Sequence, residues 1–163
     1  MTKLLLGLAV IGFTTFIGYL CTRKYRKRKA FFTQFSDFNS RFLNEISYFK
    51  RPVVEFITKY SYNGEFDDLL QTYIKNINAL ILLEKRLQSD DFSFLNKDEK
   101  QLLIDYFSTL GKGNSATQTA YYNGIKEPIN NIKLQTEKDN KRYGDLFIKL
   151  GFLCGLLILI LIV

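Results

Sequence analysis

Residues 115–163, SATQTAYYNGIKEPINNIKLQTEKDNKRYGDLFIKLGFLCGLLILILIV, decide the fold, because they read as one long helix that leaves a soluble body and ends inside a membrane. Ser115 with Gln118 has the capping-box pattern, in which a hydroxyl accepts from an orphan amide while the Gln side chain reaches back. Tyr121, Ile125, Ile129 and Ile132 recur at helical spacing and leave Lys126, Glu127, Asn130 and Lys133 on the wet side, so this is a packing helix. Pro128 removes one backbone donor: either it kinks the helix or the helix starts late, after Asn123 and Gly124. Beyond Lys141 and Arg142 the polarity collapses into 146–163, about 18 residues and roughly 27 Å of helix, close to one hydrocarbon thickness. The chain is expected to stop in or just beyond the bilayer. Gly151 and Gly155 lie four apart on one face, a spacing that lets helices approach closely in lipid, although glycine is also common in membrane helices generally. Gly7, Gly12 or Gly18 are the expected contacts. Lys149, about one turn into the span, is expected to snorkel toward the headgroups.

The opposite end of the chain is apolar over 4–20 apart from Thr14 and Thr15. Three readings compete: a retained anchor, a cleaved signal, and a lipoprotein signal ending at Cys21. Small residues before a cleavage site are missing, Leu20 stands where lipidation needs a small residue, and a dense basic cluster opposes export, so a retained anchor is expected. That cluster is Arg23, Lys24, Arg26, Lys27, Arg28 and Lys29. By the positive-inside bias it stays cytoplasmic and sends the N-terminus outward, and Lys141 and Arg142 orient the second span the same way. The division expected is an N-terminal anchor (1–21), a basic flank (22–29), a cytoplasmic helical body (30–145) and a C-terminal span (146–163). A specific anionic-lipid or nucleic-acid role is the other reading of the cluster.

The 163 residues carry a formal net charge of +7. Lys3 and the basic flank supply that excess while the remaining Lys and Arg nearly balance the acids, so the body is not a basic nucleic-acid binder. There is no His, which excludes His-based metal sites and His-dependent triads, and two Cys, Cys21 and Cys154, give no disulfide framework. Aromatic residues make up 15% without any Trp, which points to a core rich in Phe and Tyr.

Within the body, Phe32, Phe35, Phe38, Phe42, Leu43, Ile46 and Phe49 fall three to four apart and predict a helix over 30–50. Arg51-Pro52 breaks it, and Pro suits the first position of a new helix over 52–59 that turns Val53, Val54, Phe56 and Ile57 inward. After a turn at 61–64, a helix over 65–87 is expected, with Phe66, Leu69, Leu70, Tyr73, Ile74, Ile77 and Ile81 inward, and Leu83 and Leu87 as further candidates. Asp67 and Asp68 suit its first turn and, being adjacent, point apart rather than forming an acid/base pair. Asn96 and Glu99 make a second capping box, opening a helix with Leu102, Leu103, Tyr106, Phe107 and Leu110 inward that ends at Gly111. Gly111-Lys112-Gly113-Asn114-Ser115 lacks the order of a phosphate loop and reads as a turn. The fold class is therefore all-α: a small helical bundle of about six helices flanked by two transmembrane helices, the last helix continuous with the C-terminal span. An enzyme without His would need a Ser-Lys pair or carboxylates, and no spacing supports either, so no catalytic, cofactor or metal site is expected.

The order of parts is specific. An outward anchor and basic flank precede Phe42-Leu43-Asn44-Glu45-Ile46-Ser47-Tyr48 and Pro52; Leu110-Gly111-Lys112 and Gln118 follow, then a long polar helix, Tyr143, and Leu150-Gly151 leading to Gly155. This resembles the stage III sporulation protein AB family over nearly the whole chain, most closely in the Leu-Gly-Lys, Gln, Tyr and Leu-Gly-x-x-x-Gly elements and in Glu45, Ile46, Tyr48 and Pro52. Arg51-Pro52-Val53-Val54 and Gly113-Asn114-Ser115 depart from its commoner residues. The resemblance implies a body similar to the cytoplasmic helical domain of type II secretion inner-membrane platform proteins. It also implies a place in the mother-cell (outer forespore) membrane, in the complex that joins mother cell and forespore. Its implied partners are a secretion-type ATPase, the other membrane subunits of that channel and the lipid bilayer, with no nucleic acid. The rival reading is a bitopic scaffold or receptor unrelated to sporulation, which needs a sensory segment outside; the outer ends are expected to be a few residues long.

Overall fold

The computed structural model describes residues 2–49, 52–75 and 79–162, with side chains described over 7–47, 52–75 and 79–161. All its regular elements are helical: α1 (Thr2–Asn44) running into a π-helical turn (Glu45–Phe49), α2 (Val53–Lys59), α3 (Gly64–Ile74), α4 (Ala79–Leu87), a 3-10 turn (Asp90–Phe92), α5 (Lys97–Thr109) and α6 (Ser115–Ile162). Among the described residues there is no strand. The predicted anchor, basic flank and first amphipathic helix are thus stretches of one helix, α1, just as the packing helix and the apolar tail are one in α6. Pro128 lies inside α6, which removes the late start after Gly124.

Local chemistry explains where the helices begin and end. At α5 the Asn96 side chain accepts from the Glu99 amide at 2.8 Å while Glu99 Oε2 accepts from the Asn96 amide at 2.9 Å, a complete capping box. At α6 the expected cap is corrected by one residue. The Thr117 amide donates to Asn114 Oδ1 at 2.8 Å, so Asn114 is the cap; Ser115 is the first helical residue, and Gln118 Nε2 donates to the Gly113 carbonyl at 3.3 Å.

The helix expected over 65–87 is two helices. Asp68 near the start of α3 meets Arg86 near the end of α4 at 2.8 Å, whereas one straight helix would hold them about 27 Å apart. Asn76 and Asn78 follow Lys75, where α3 ends, and asparagine favours turns over helix interiors. With the helical phase interrupted, Ile81 faces out at 68% exposure, while Leu83 and Leu87 are buried. Val54 is likewise exposed rather than inward. Tyr48, Phe49 and Ile77 lie outside the described side chains.

Two compact units share the long helices: residues 30–133, and the first part of α1 up to Lys29 with α6 from Leu134 onward. The core of the first is aromatic. Phe31, Phe32, Phe35, Phe38 and Phe42 line α1 and meet Phe56, Phe66, Phe92, Tyr106, Phe107 and Tyr122. Phe38 sits edge-on to Phe56 (5.2 Å between centroids), Tyr62 (5.8 Å), Phe66 (5.7 Å) and Tyr106 (6.1 Å), the geometry favoured by the ring quadrupole. In the second unit the contacts step in opposite directions along α1 and α6. A side chain at Gly7 would strike Leu159, one at Gly155 would lie 2.7 Å from Ile11 Cα, one at Gly151 2.5 Å from the Thr14 carbonyl, and one at Gly18 would strike the Phe147 carbonyl. The two segments are an antiparallel pair in glycine-mediated contact. Gly12 faces open space.

Candidate functional site

Around the end of α1 the chain builds a groove of about 310 Å³ lined by Phe42, Glu45, Ile46, Pro52, Val53, Gly111, Ser115 and Gln118. Each wall has a local cause. The π-helical turn Glu45–Phe49 ends the α1 run, where helical carbonyls lose their intrahelical donors. Ser115 replaces one of them: its hydroxyl donates to the Ile46 carbonyl at 3.2 Å, joining the start of α6 to the turn. Pro52 (φ −57°, ψ 142°) leads into α2 and aims Val53 across the groove. Gly111 takes φ +74°, and a side chain there would lie 2.6 Å from Val53 Cγ2, so both the backbone and the space require glycine. Glu45 is 3% exposed, and its Oε2 lies 3.8 Å from Lys59 Nζ. The groove thus combines apolar walls of Phe42, Ile46, Pro52 and Val53 with Ser115, Gln118 and one buried carboxylate beside a cation.

Residues 3–163 match the family model described as stage III sporulation protein AB. The chain belongs to that family. Among curated proteins and solved structures nothing matches it. In this stage III sporulation family member, five residues that carry the sequence resemblance, Glu45, Ile46, Pro52, Gly111 and Gln118, face one another across a single groove. Leu110 is buried, its carbonyl 3.4 Å from the Tyr73 hydroxyl, and Lys112 is exposed. Tyr143 belongs to the helical pair of the other unit, stacked on Tyr25 at 5.0 Å. Phe42, Val53 and Ser115 complete the groove without having been singled out as site residues.

The same unit as the groove contains a buried polar chain that spacing alone missed. Asn39 is 1% exposed; its Oδ1 accepts from the Tyr106 hydroxyl at 3.0 Å and its Nδ2 donates to the Tyr122 carbonyl at 3.3 Å. The Tyr122 hydroxyl is 3.1 Å from Thr109 Oγ1. These bonds hold α1, α5 and α6 in register. Burial pushes the Tyr106 and Tyr122 hydroxyls up from their ordinary range. The visible signal was Asn39 itself, a polar residue on the stripe between Phe35 and Phe42.

The basic flank serves more than one purpose. Arg23, Lys24, Arg26 and Lys29 are exposed, Lys27 is half-buried, and Arg28 binds Asp139 of α6 at 3.0 Å. Arg26 lies over the Tyr19 ring at 4.2 Å; Lys141 and Arg142 are exposed, the latter 5.6 Å from the Tyr143 ring. Among the described residues α6 alone is long and apolar enough to cross a membrane, and 6% of its most apolar window is buried, which suggests membrane association rather than a core helix. No group of three His, Cys, Asp or Glu is placed to hold a metal among the described residues.

Proposed function

We propose that this protein is a non-enzymatic platform subunit of the mother cell–forespore channel complex, tethered at both ends in the mother-cell membrane, with a cytoplasmic body that docks a secretion-type ATPase. The observation that carries the reading is the convergence of Glu45, Ile46, Pro52, Gly111 and Gln118 on one groove. Residues far apart in sequence, contributed by the ends of four helices, suit recognition of another protein surface. Support for a second span comes from α1: Leu8, Phe13, Phe16 and Ile17 are exposed, and the Thr14 and Thr15 hydroxyls bond carbonyls of their own helix, so neither needs water. The antiparallel pairing puts both apolar ends on the same side, in keeping with the basic residues at the other end of each.

Site-specific photo-cross-linking tests the docking. A cross-linker at Gln118 should capture the ATPase of the complex in sporulating cells, and one at exposed Leu82 on α4 should not. Equal capture from both sites, or capture from Leu82 alone, refutes the groove as the docking surface. Reporter fusions test the topology: a periplasm-type reporter after Leu161 should be active and one in the loop at Asn114 inactive.

A further inference from the structure

Where α1 and α6 leave their apolar stretches, a second cleft of about 480 Å³ opens between them, within the size range of small-molecule sites. Arg26, Lys29 and Lys141 give it three positive charges, and Glu137 and Asp145 two negative ones. Asn140 also lines it, and Asn140 Oδ1 is shut off from solvent without a hydrogen-bond donor from the protein. A buried acceptor in that state calls for a donor. The level of the cleft is marked by Tyr19, Tyr25 and Tyr143, amphipathic rings of the kind enriched where hydrocarbon meets headgroups. Diffuse attraction of lysines to an anionic surface needs neither a concavity nor carboxylates. This cleft has both, with Arg26 and Lys29 on α1 facing Lys141 and the two carboxylates on α6.

We propose that the cleft binds the headgroup of a glycerophospholipid, its phosphodiester on Arg26, Lys29 and Lys141 and its N–H or O–H donors on Glu137, Asn140 and Asp145. Ethanolamine and glycerol headgroups carry such donors; choline carries none. The inference rests on the reading that the helical pair lies in a bilayer.

The test uses the full-length chain in nanodiscs containing equal parts phosphatidylethanolamine, phosphatidylglycerol and phosphatidylcholine with identical acyl chains, and native mass spectrometry of the lipid retained. Phosphatidylethanolamine should be retained about tenfold over phosphatidylcholine, the ratio set by one hydrogen bond to a charged acceptor. Phosphatidylglycerol should also exceed phosphatidylcholine, and the ratio of the two favoured lipids tells which donor the site prefers. Asp145→Asn with Asn140→Leu should abolish the preference for ethanolamine over choline; Arg26→Gln with Lys141→Gln should lower retention of all three lipids. Circular dichroism checks that each variant keeps its helices. If phosphatidylglycerol alone is enriched and ethanolamine equals choline, attraction is merely electrostatic and the cleft proposal fails while the membrane reading stands. A chain that enters no nanodisc overturns both.

Discussion

Two tyrosine-to-phenylalanine changes, alike in what they remove, should differ in sign. Tyr106 and Tyr62 are both buried in the aromatic core, and in either case Phe keeps the ring contacts, such as Phe35 to Tyr106 at 4.8 Å and Tyr62 to Phe66 at 5.3 Å. The Tyr106 hydroxyl donates to Asn39 Oδ1 at 3.0 Å, so Tyr106→Phe leaves a buried acceptor without its donor, at about 1–3 kcal/mol. The Tyr62 hydroxyl has no hydrogen-bond partner in the protein, so Tyr62→Phe removes a buried polar group that contributes nothing and should be neutral or stabilising by about 1 kcal/mol. At about 4 °C per kcal/mol for a body of this size, Tyr106→Phe should lower Tm by about 4–12 °C and Tyr62→Phe should leave it unchanged or raise it by a few degrees. Near-ultraviolet circular dichroism of the full-length chain in mild detergent reads the body's melting, since its signal comes from these rings. Adding Asn39→Leu to Tyr106→Phe should recover part of the loss, because the stranded acceptor is gone. Equal destabilisation by both single changes would refute the reasoning: ring packing, and not the Asn39 bond, would then set the difference from wild type.

Three further outcomes follow from the geometry. Burial pushes Tyr62 up to about 12 and raises Tyr106 and Tyr73, so below pH 10 these groups leave stability unchanged; above it the unfolded chain loses protons that the folded one keeps, and stability should fall from pH 10 toward 12, with the ultraviolet absorbance of the buried phenolates rising together with unfolding. Leucine at both Gly151 and Gly155 should force α1 and α6 apart by about 1 Å or more, since a Cβ at 2.7 Å from Ile11 Cα must retreat to van der Waals distance, and spin labels on the exposed Cys21 and Cys154 should report a longer, broader distance; an unchanged distribution would count against the close contact. Gly111→Ala and Gly113→Ala both place alanine at positive φ (74° and 85°), each costing about 1–2 kcal/mol, but only the first meets Val53, so cross-linking from the groove should drop further in Gly111→Ala.

Sequence reading succeeded where the cause of structure is local. The Asn96–Glu99 box, the Phe stripe of α1 and the amphipathic face of Tyr121, Ile125, Ile129 and Ile132 depend on residues three or four apart, and each is seen in the structure. It failed where two local preferences are nearly balanced. Asn114 and Ser115 are both good caps; in the structure Asn114 Oδ1 accepts from the Thr117 amide, while the Ser115 hydroxyl donates to the Ile46 carbonyl, a contact across 69 residues. The break after Ile74 was hidden because Leu and Ile continue on both sides of Asn76 and Asn78, so hydrophobic count suggested a helix that the Asp68–Arg86 pairing does not permit. The motif residues were legible as separate words. Gly111 was legible as a left-handed helix end, but the convergence was not, since it also depends on a π-helical turn that no periodicity announces.

That convergence bears on what the family motifs are for. Each is weak alone, and in the structure each shapes backbone: Pro52 starts α2, Gly111 allows the chain to pass close under Val53, and Gln118 holds the Gly113 carbonyl at the mouth of α6. Glu45 is the exception, a carboxylate at 3% exposure within 3.8 Å of Lys59, and burial makes such a charge costly unless it is paired. A groove serving only to fill space between helices would be cheaper with a Leu at that position. A buried acid whose cation comes from α2 instead ties the position of α2 to the end of α1, and α2 carries Val53, the side chain that closes over Gly111. If the groove docks a partner as proposed, its shape would thereby be fixed beforehand, which would limit the ordering cost of binding.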